Sequence, residues 1–134
     1  MIALIVSSLA VEMLVIAVHE LGHACPARAF GYPTTFRVRG LRVLGCRVWL
    51  MPVARIDFGS TMPRRSVDMV VALGGPVASL SFGLALLQLP NSVCKSAGVM
   101  SLFIGFASLL PFRWFDGRHI WHVVKPREFR MVVR

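Results

Sequence analysis

The run Val18-His19-Glu20-Leu21-Gly22-His23 sets two histidines four positions apart, with a glutamate directly after the first. On an α-helix, residues four apart lie one above the other on the same face, so His19 and His23 reach one zinc ion together. Glu20 stands about a quarter-turn away, where it holds a metal-bound water. That is the working core of many zinc hydrolases. The competing reading is a chance match on a helix with two ordinary histidines. A third ligand and a dry cavity, supplied by the rest of the chain, separate the two readings.

The elements that must position this motif follow from composition. The chain has 134 residues, 56% hydrophobic and 16% charged, with a mean hydropathy of +0.69. An average soluble domain is about one-quarter charged, so the composition indicates an integral membrane protein in contact with a lipid bilayer. The net charge is +9. Its basic residues cluster between and after the apolar runs, which indicates topology and anionic-lipid contact, with no nucleic acid partner. Cys25, Cys46 and Cys94 are widely spaced and form no Cys-x-x-Cys pair, so neither a disulfide framework nor a cysteine zinc cluster is expected.

Hydropathy patterning predicts three spans in a single domain covering residues 1–134. The first, about 2–30, is apolar to Val18 except for Ser7, Ser8 and Glu12, and is stopped by Gly31 and Pro33. It lacks a positive leader and a cleavage site, so it reads as a retained spanning helix rather than a signal peptide. Glu12 falls on the helical face of His19 and His23. It either lines the site cavity or hydrogen-bonds a neighbouring helix. Residues 34–59 alternate basic and apolar side chains, punctuated by Gly40 and Gly45, and predict a β-hairpin. Its free edge either accepts an extended peptide or lies as a basic cap on lipid headgroups.

The second span, about 66–89, contains Gly75, Ser79 and Gly83 at every fourth position, a small-residue stripe for close helix packing, with a kink expected at Pro76. The third, about 98–116, runs through Pro111 to Asp116, and a basic tail follows over 117–134. The expected fold is therefore an all-α membrane protein of three transmembrane helices, with a β-hairpin between helices 1 and 2.

Charge orients the spans. Residues 28–65 hold eight arginines, the second connection holds only Lys95, and the tail from Arg113 holds six basic residues. The positive-inside rule puts the amino terminus outside, with hairpin and tail in the cytoplasm. At about 1.5 Å per residue, His19 and Asp116 then both lie roughly 25 Å below the outer ends of their helices. Asp116 is the candidate third ligand, and His119 and His122 are its rivals.

Three blocks now resemble the site-2 protease family of intramembrane zinc metalloproteases. They are His19-Glu20-Leu21-Gly22-His23-Ala24 with Ala27-Arg28 and Gly31; Gly74-Gly75-Pro76-Val77-Ala78; and Leu109-Leu110-Pro111 followed by Phe115-Asp116-Gly117. The resemblance implies a three-helix metalloprotease core in which His19, His23 and Asp116 hold one zinc ion and Glu20 activates water. It implies substrates that are membrane proteins cut in or near a transmembrane segment, in the cytoplasmic membrane of a bacterium or archaeon. The family pattern has amides that assist substrate or oxyanion binding where this chain has Ser79 and Ser108, and a glycine where it has Arg118. No regulatory peptide-binding domain is expected, so recognition falls to the core or to an accessory membrane partner. The expected function is zinc-dependent intramembrane proteolysis. A catalytically weak membrane scaffold or immunity-type protein is the alternative, and a metal transporter is disfavoured because only one face carries ligands and no chain of acids beyond Glu12 marks a path through the membrane.

Overall fold

The structure, a computed structural model, describes residues 2–43, 46–59, 64–112 and 115–124. Its elements in chain order are α1 (Ile2–Ala29), β1 (Thr34–Val43), β2 (Cys46–Ile56), α2 (Arg65–Leu87), α3 (Ser92–Ser108) and α4 (Gly117–Val124). The protein is mostly helical, with a two-stranded antiparallel hairpin between the first two helices. The tail from residue 125 onward and the side chains of His119 and His122 lie outside the described residues.

The long helix α1 passes through Pro26 and stops at Ala29, where Gly31 takes a φ of +83°. A residue with no Cβ adopts that left-handed conformation without strain, so the chain turns there into the hairpin. Strands β1 and β2 pair from Thr34↔Ile56 to Val43↔Cys46, and the Asp57 N–H closes the base by donating to the Pro33 carbonyl. The register slips between Arg39 and Gly40. Gly40, which the sequence marks as turn punctuation, lies instead inside a continuous strand at this register shift, opposite the extra residue Leu50 of β2.

Helix α2 is the central element, packed against α1 on one side and α3 on the other. Its small-residue stripe is shared between them. Gly75 faces the His23 ring and Gly83 faces Gly98 of α3, where a Cβ on either glycine would sit 2.9 Å from the other's carbonyl oxygen. Gly22 and Gly74 are closer still, each backbone lying against the other's carbonyl. Such contacts let helices touch along their backbones, as small residues do in membrane bundles. Helix α3 starts at an Asn91 cap, whose side chain accepts the Val93 N–H at 2.8 Å.

Among the described residues, one helix, α2, is long and apolar enough to cross a membrane, and α3, with 17 residues, is a shorter apolar helix. One expectation changes here. The third helix starts earlier and ends earlier than the expected 98–116. It stops at Ser108 ahead of Pro111, which lacks the N–H to continue a helix. Asp116 therefore sits in the turn before α4, off the end of α3, and a helical rise along α3 does not give its depth.

Candidate metal centre

One turn of α1 separates His19 from His23, and their rings stand nearly perpendicular, at 82°, with centroids 5.0 Å apart. Both Nε2 atoms point at one spot. Asp116 reaches it from the turn before α4, and the next residue explains how. Gly117 is buried against the carbonyl oxygens of Leu109 and Leu110, where any Cβ would collide, so the chain passes close enough to aim Asp116 inward.

The three donor atoms form a nearly equilateral triangle. His19 Nε2 lies 3.1 Å from Asp116 Oδ2, His23 Nε2 lies 3.3 Å from the same oxygen, and the two Nε2 atoms are 3.3 Å apart. These residues form a group able to hold a metal ion. Three ligands about 2.0–2.1 Å from a tetrahedral zinc are about 3.3–3.4 Å from one another, so the triangle matches one face of such a tetrahedron. Among the described residues no fourth side chain joins this group, the pattern of an open rather than a structural site.

The atoms behind the rings fit the same use. His23 Nδ1 donates to the Val71 carbonyl at 2.8 Å, and a carbonyl is an acceptor only. The Nδ1 proton is thereby fixed, and Nε2 of neutral His23 presents a lone pair to the centre. His19 is buried, 8% exposed, and its Nδ1 lies 2.8 Å from the Ser79 hydroxyl. Lone pairs on His23 Nε2 and Asp116 Oδ2 converge at 3.3 Å and repel unless a cation or a proton lies between them.

Glu20 lines a cavity of about 250 Å³ together with His23, Asp116, Asp68 and residues of β2. Its Oε2 accepts the Ala54 N–H at 2.6 Å. Because that N–H points to Glu20, this stretch of β2 presents its outer edge, the one away from β1, to the cavity.

The other expected site residues lie elsewhere. Ser79 is fully buried behind His19. Ser108 is buried in the last turn of α3 and donates to the Gly105 carbonyl. Glu12 stands exposed on α1, outside the cavity lining. Three contributors were missed. Val71 and Ala54 act through backbone atoms, which leave no trace in side-chain type. Asp68, in the first turn of α2, reads in sequence as a charge favourable to the helix dipole. Comparison with known proteins finds no family model and no curated relative that matches this chain.

Proposed function

We propose that the chain is a zinc-dependent intramembrane endopeptidase of the site-2 protease kind, cutting membrane proteins in or near a transmembrane segment. The observation that carries this reading is the His19–His23–Asp116 triangle, with edges of 3.1 to 3.3 Å, opening onto a cavity that also holds Glu20. Zinc bound there would supply Lewis-acid chemistry towards a peptide carbonyl and a water. His19, His23 and Asp116 would hold the metal through two neutral imidazoles and one carboxylate. Glu20 takes the proton of the attacking water and passes it to the leaving amine.

A helical substrate pairs its backbone groups internally and must be unwound before a peptide bond is reachable. The outer edge of β2 at the cavity wall, where Val53, Ala54 and Ile56 lie, is the place for an added strand, whose pairing would take over the Ala54 N–H from Glu20. Helix α2 supports placement in a membrane, and we assign α1 and α3 beside it as the remaining spans, amino terminus outside, hairpin and tail cytoplasmic. The test is metal content of wild type against His23→Ala and Asp116→Ala, beside cleavage of a reporter with a spanning segment by wild type and Glu20→Gln. Zinc binding with unchanged cleavage by Glu20→Gln would sink the mechanism.

A second reading, a catalytically weak scaffold, is favoured by one observation. Ser79, where an amide is expected to serve the substrate, is turned away from the cavity to His19. That reading predicts that Glu20→Gln keeps the biological effect and that disrupting the Gly83 contact with α3 abolishes it.

A further inference from the structure

Alternation along β2 fixes which backbone groups face away from β1. The Asp57 N–H donates to the Pro33 carbonyl, on the β1 side, so positions 55 and 53 also turn towards β1, and 56, 54 and 52 turn outwards. Pro52 carries no N–H. The outward donors of this stretch are therefore those of Ala54 and Ile56, with Ala54 at the end of the row next to Pro52. Its N–H is already engaged, because Glu20 Oε2 accepts it at 2.6 Å. Val53, Ala54 and Ile56 line the same cavity as Glu20, His23 and Asp116. An extended peptide laid against this edge needs a donor for its carbonyl, and the donor offered beside the metal group is the one that Glu20 holds.

We propose that Glu20 is a latch on the edge of β2 and that Ala54 is its positioning residue: an extended peptide pairs with β2 by taking the Ala54 N–H, and the same exchange frees the Glu20 carboxylate within the cavity. The inference deepens the endopeptidase reading above and rests on it for the use made of the freed carboxylate.

One amide donor serves one of two acceptors, the Glu20 carboxylate or a peptide carbonyl, so closing the latch and adding a strand exclude one another. A hydrogen bond to a carboxylate is about twice as strong as one between neutral groups, so this amide alone favours the latch. An added strand prevails through its other pairings, with the Ile56 N–H and the outward carbonyls. A peptide that reaches only Ala54 leaves the latch closed, whereas one long enough to reach Ile56 opens it. Glu20 is thereby released by a chain already extended at the cavity, the conformation in which a peptide bond is accessible. Until then the latch lowers the apparent affinity of the edge by holding most of the population in the closed form.

The experiment measures binding without cleavage. The full chain, in detergent micelles and with metal removed by EDTA, is titrated with a fluorescently labelled, amide-capped hexapeptide of alternating Thr and Val, and affinity is read from anisotropy. Wild type, Glu20→Ala, Ala54→Pro and the double variant are compared. Ala54→Pro removes the donor at an outward position of the same kind as Pro52, which the strand already accommodates. Glu20→Ala is expected to tighten binding by about tenfold, as expected for removing a competing hydrogen bond to a charged group. Ala54→Pro is expected to weaken it, and in that background Glu20→Ala changes nothing. A merely structural role for Glu20 would instead loosen the hairpin and weaken binding in both backgrounds. In ¹H–¹⁵N spectra the Ala54 amide proton is expected downfield in wild type, held by the carboxylate, and shifted upfield in Glu20→Ala.

Unchanged, weaker or undetected peptide binding by Glu20→Ala overturns the inference, as does equal tightening in the Ala54→Pro background. If Ala54→Pro does not fold, wild type against Glu20→Ala and the Ala54 amide signal decide. Zinc content and reporter cleavage stand apart from this test. Absence of both sinks the endopeptidase reading and leaves the latch to the binding data, whereas their presence does not rescue a latch that Glu20→Ala fails to open.

Discussion

Replacing Gly75 by alanine isolates the geometry of the metal centre from the stability of the helix that supports it. Gly75 is buried on α2, and a Cβ there would stand 2.6 and 2.7 Å from Cε1 and Cδ2 of His23, and nearer still to Nε2. Carbon atoms in contact prefer about 3.5–4.0 Å, so ring and helix must separate by about 1 Å. The ring is not free to give way, because its Nδ1 is tied to Val71 at 2.8 Å. Helix α2 cannot withdraw without pulling Ser79 off His19 and parting Gly74 from Gly22. Metal sites tolerate about 0.2 Å in ligand distance, a fifth of the displacement required. Gly75→Ala should therefore weaken zinc binding by about 100-fold, equivalent to about 2.7 kcal/mol. Helix propensity alone predicts the opposite sign, since alanine for glycine inside a helix is favourable by about 1 kcal/mol. The assay is zinc affinity by chelator competition together with thermal unfolding in EDTA, with Ser81→Ala on the exposed face of α2 as the control. A folded Gly75→Ala protein with wild-type zinc affinity would refute the reasoning.

Glu20→Gln should bind zinc normally and lose about 10²- to 10⁴-fold in cleavage rate, while its side-chain carbonyl still accepts the Ala54 N–H and leaves thermal stability unchanged. Gly117→Ala should push Asp116 out of the triangle, because its Cβ would collide with the carbonyls of Leu109 and Leu110, and zinc affinity should fall at least about tenfold. Asn91→Ala removes the cap of α3 and should cost about 1 kcal/mol in a denaturation midpoint measurement, with zinc affinity unaltered because the cap belongs to the opposite end of α3 from Ser108.

What could be read from the sequence was whatever periodicity encodes. The four-residue interval of His19 and His23 marks one helical face, and the structure brings their Nε2 atoms together. Alternation over residues 34–59 marks paired strands, and the hairpin is there, although the role of Gly40 depends on register, which alternation alone leaves undetermined. Asp116 shows the limit. It lies at the centre, but a turn brings it there, and a count of helical rise along α3 does not describe that path. The stripe of Gly75, Ser79 and Gly83 identifies a packing face without saying which neighbour each residue meets. Only tertiary structure turns Ser79 to His19 and Gly83 to Gly98. The Val71 carbonyl and the Ala54 N–H have no side-chain signature, so no reading of residue types reaches them.

His23 and Asp116 meet across 93 residues of chain, and the hairpin, α2 and α3 all lie inside that loop. An ion gripping both ends is thus a clasp on the whole fold, restricting the unfolded chain as a cross-link does. At a free concentration of 100 times its dissociation constant, it would add about 2.7 kcal/mol to the stability of the folded form. The supply of metal would then set how much of the protein survives proteolytic surveillance, besides how much of it is active. Cells short of the ion would lose the chain itself.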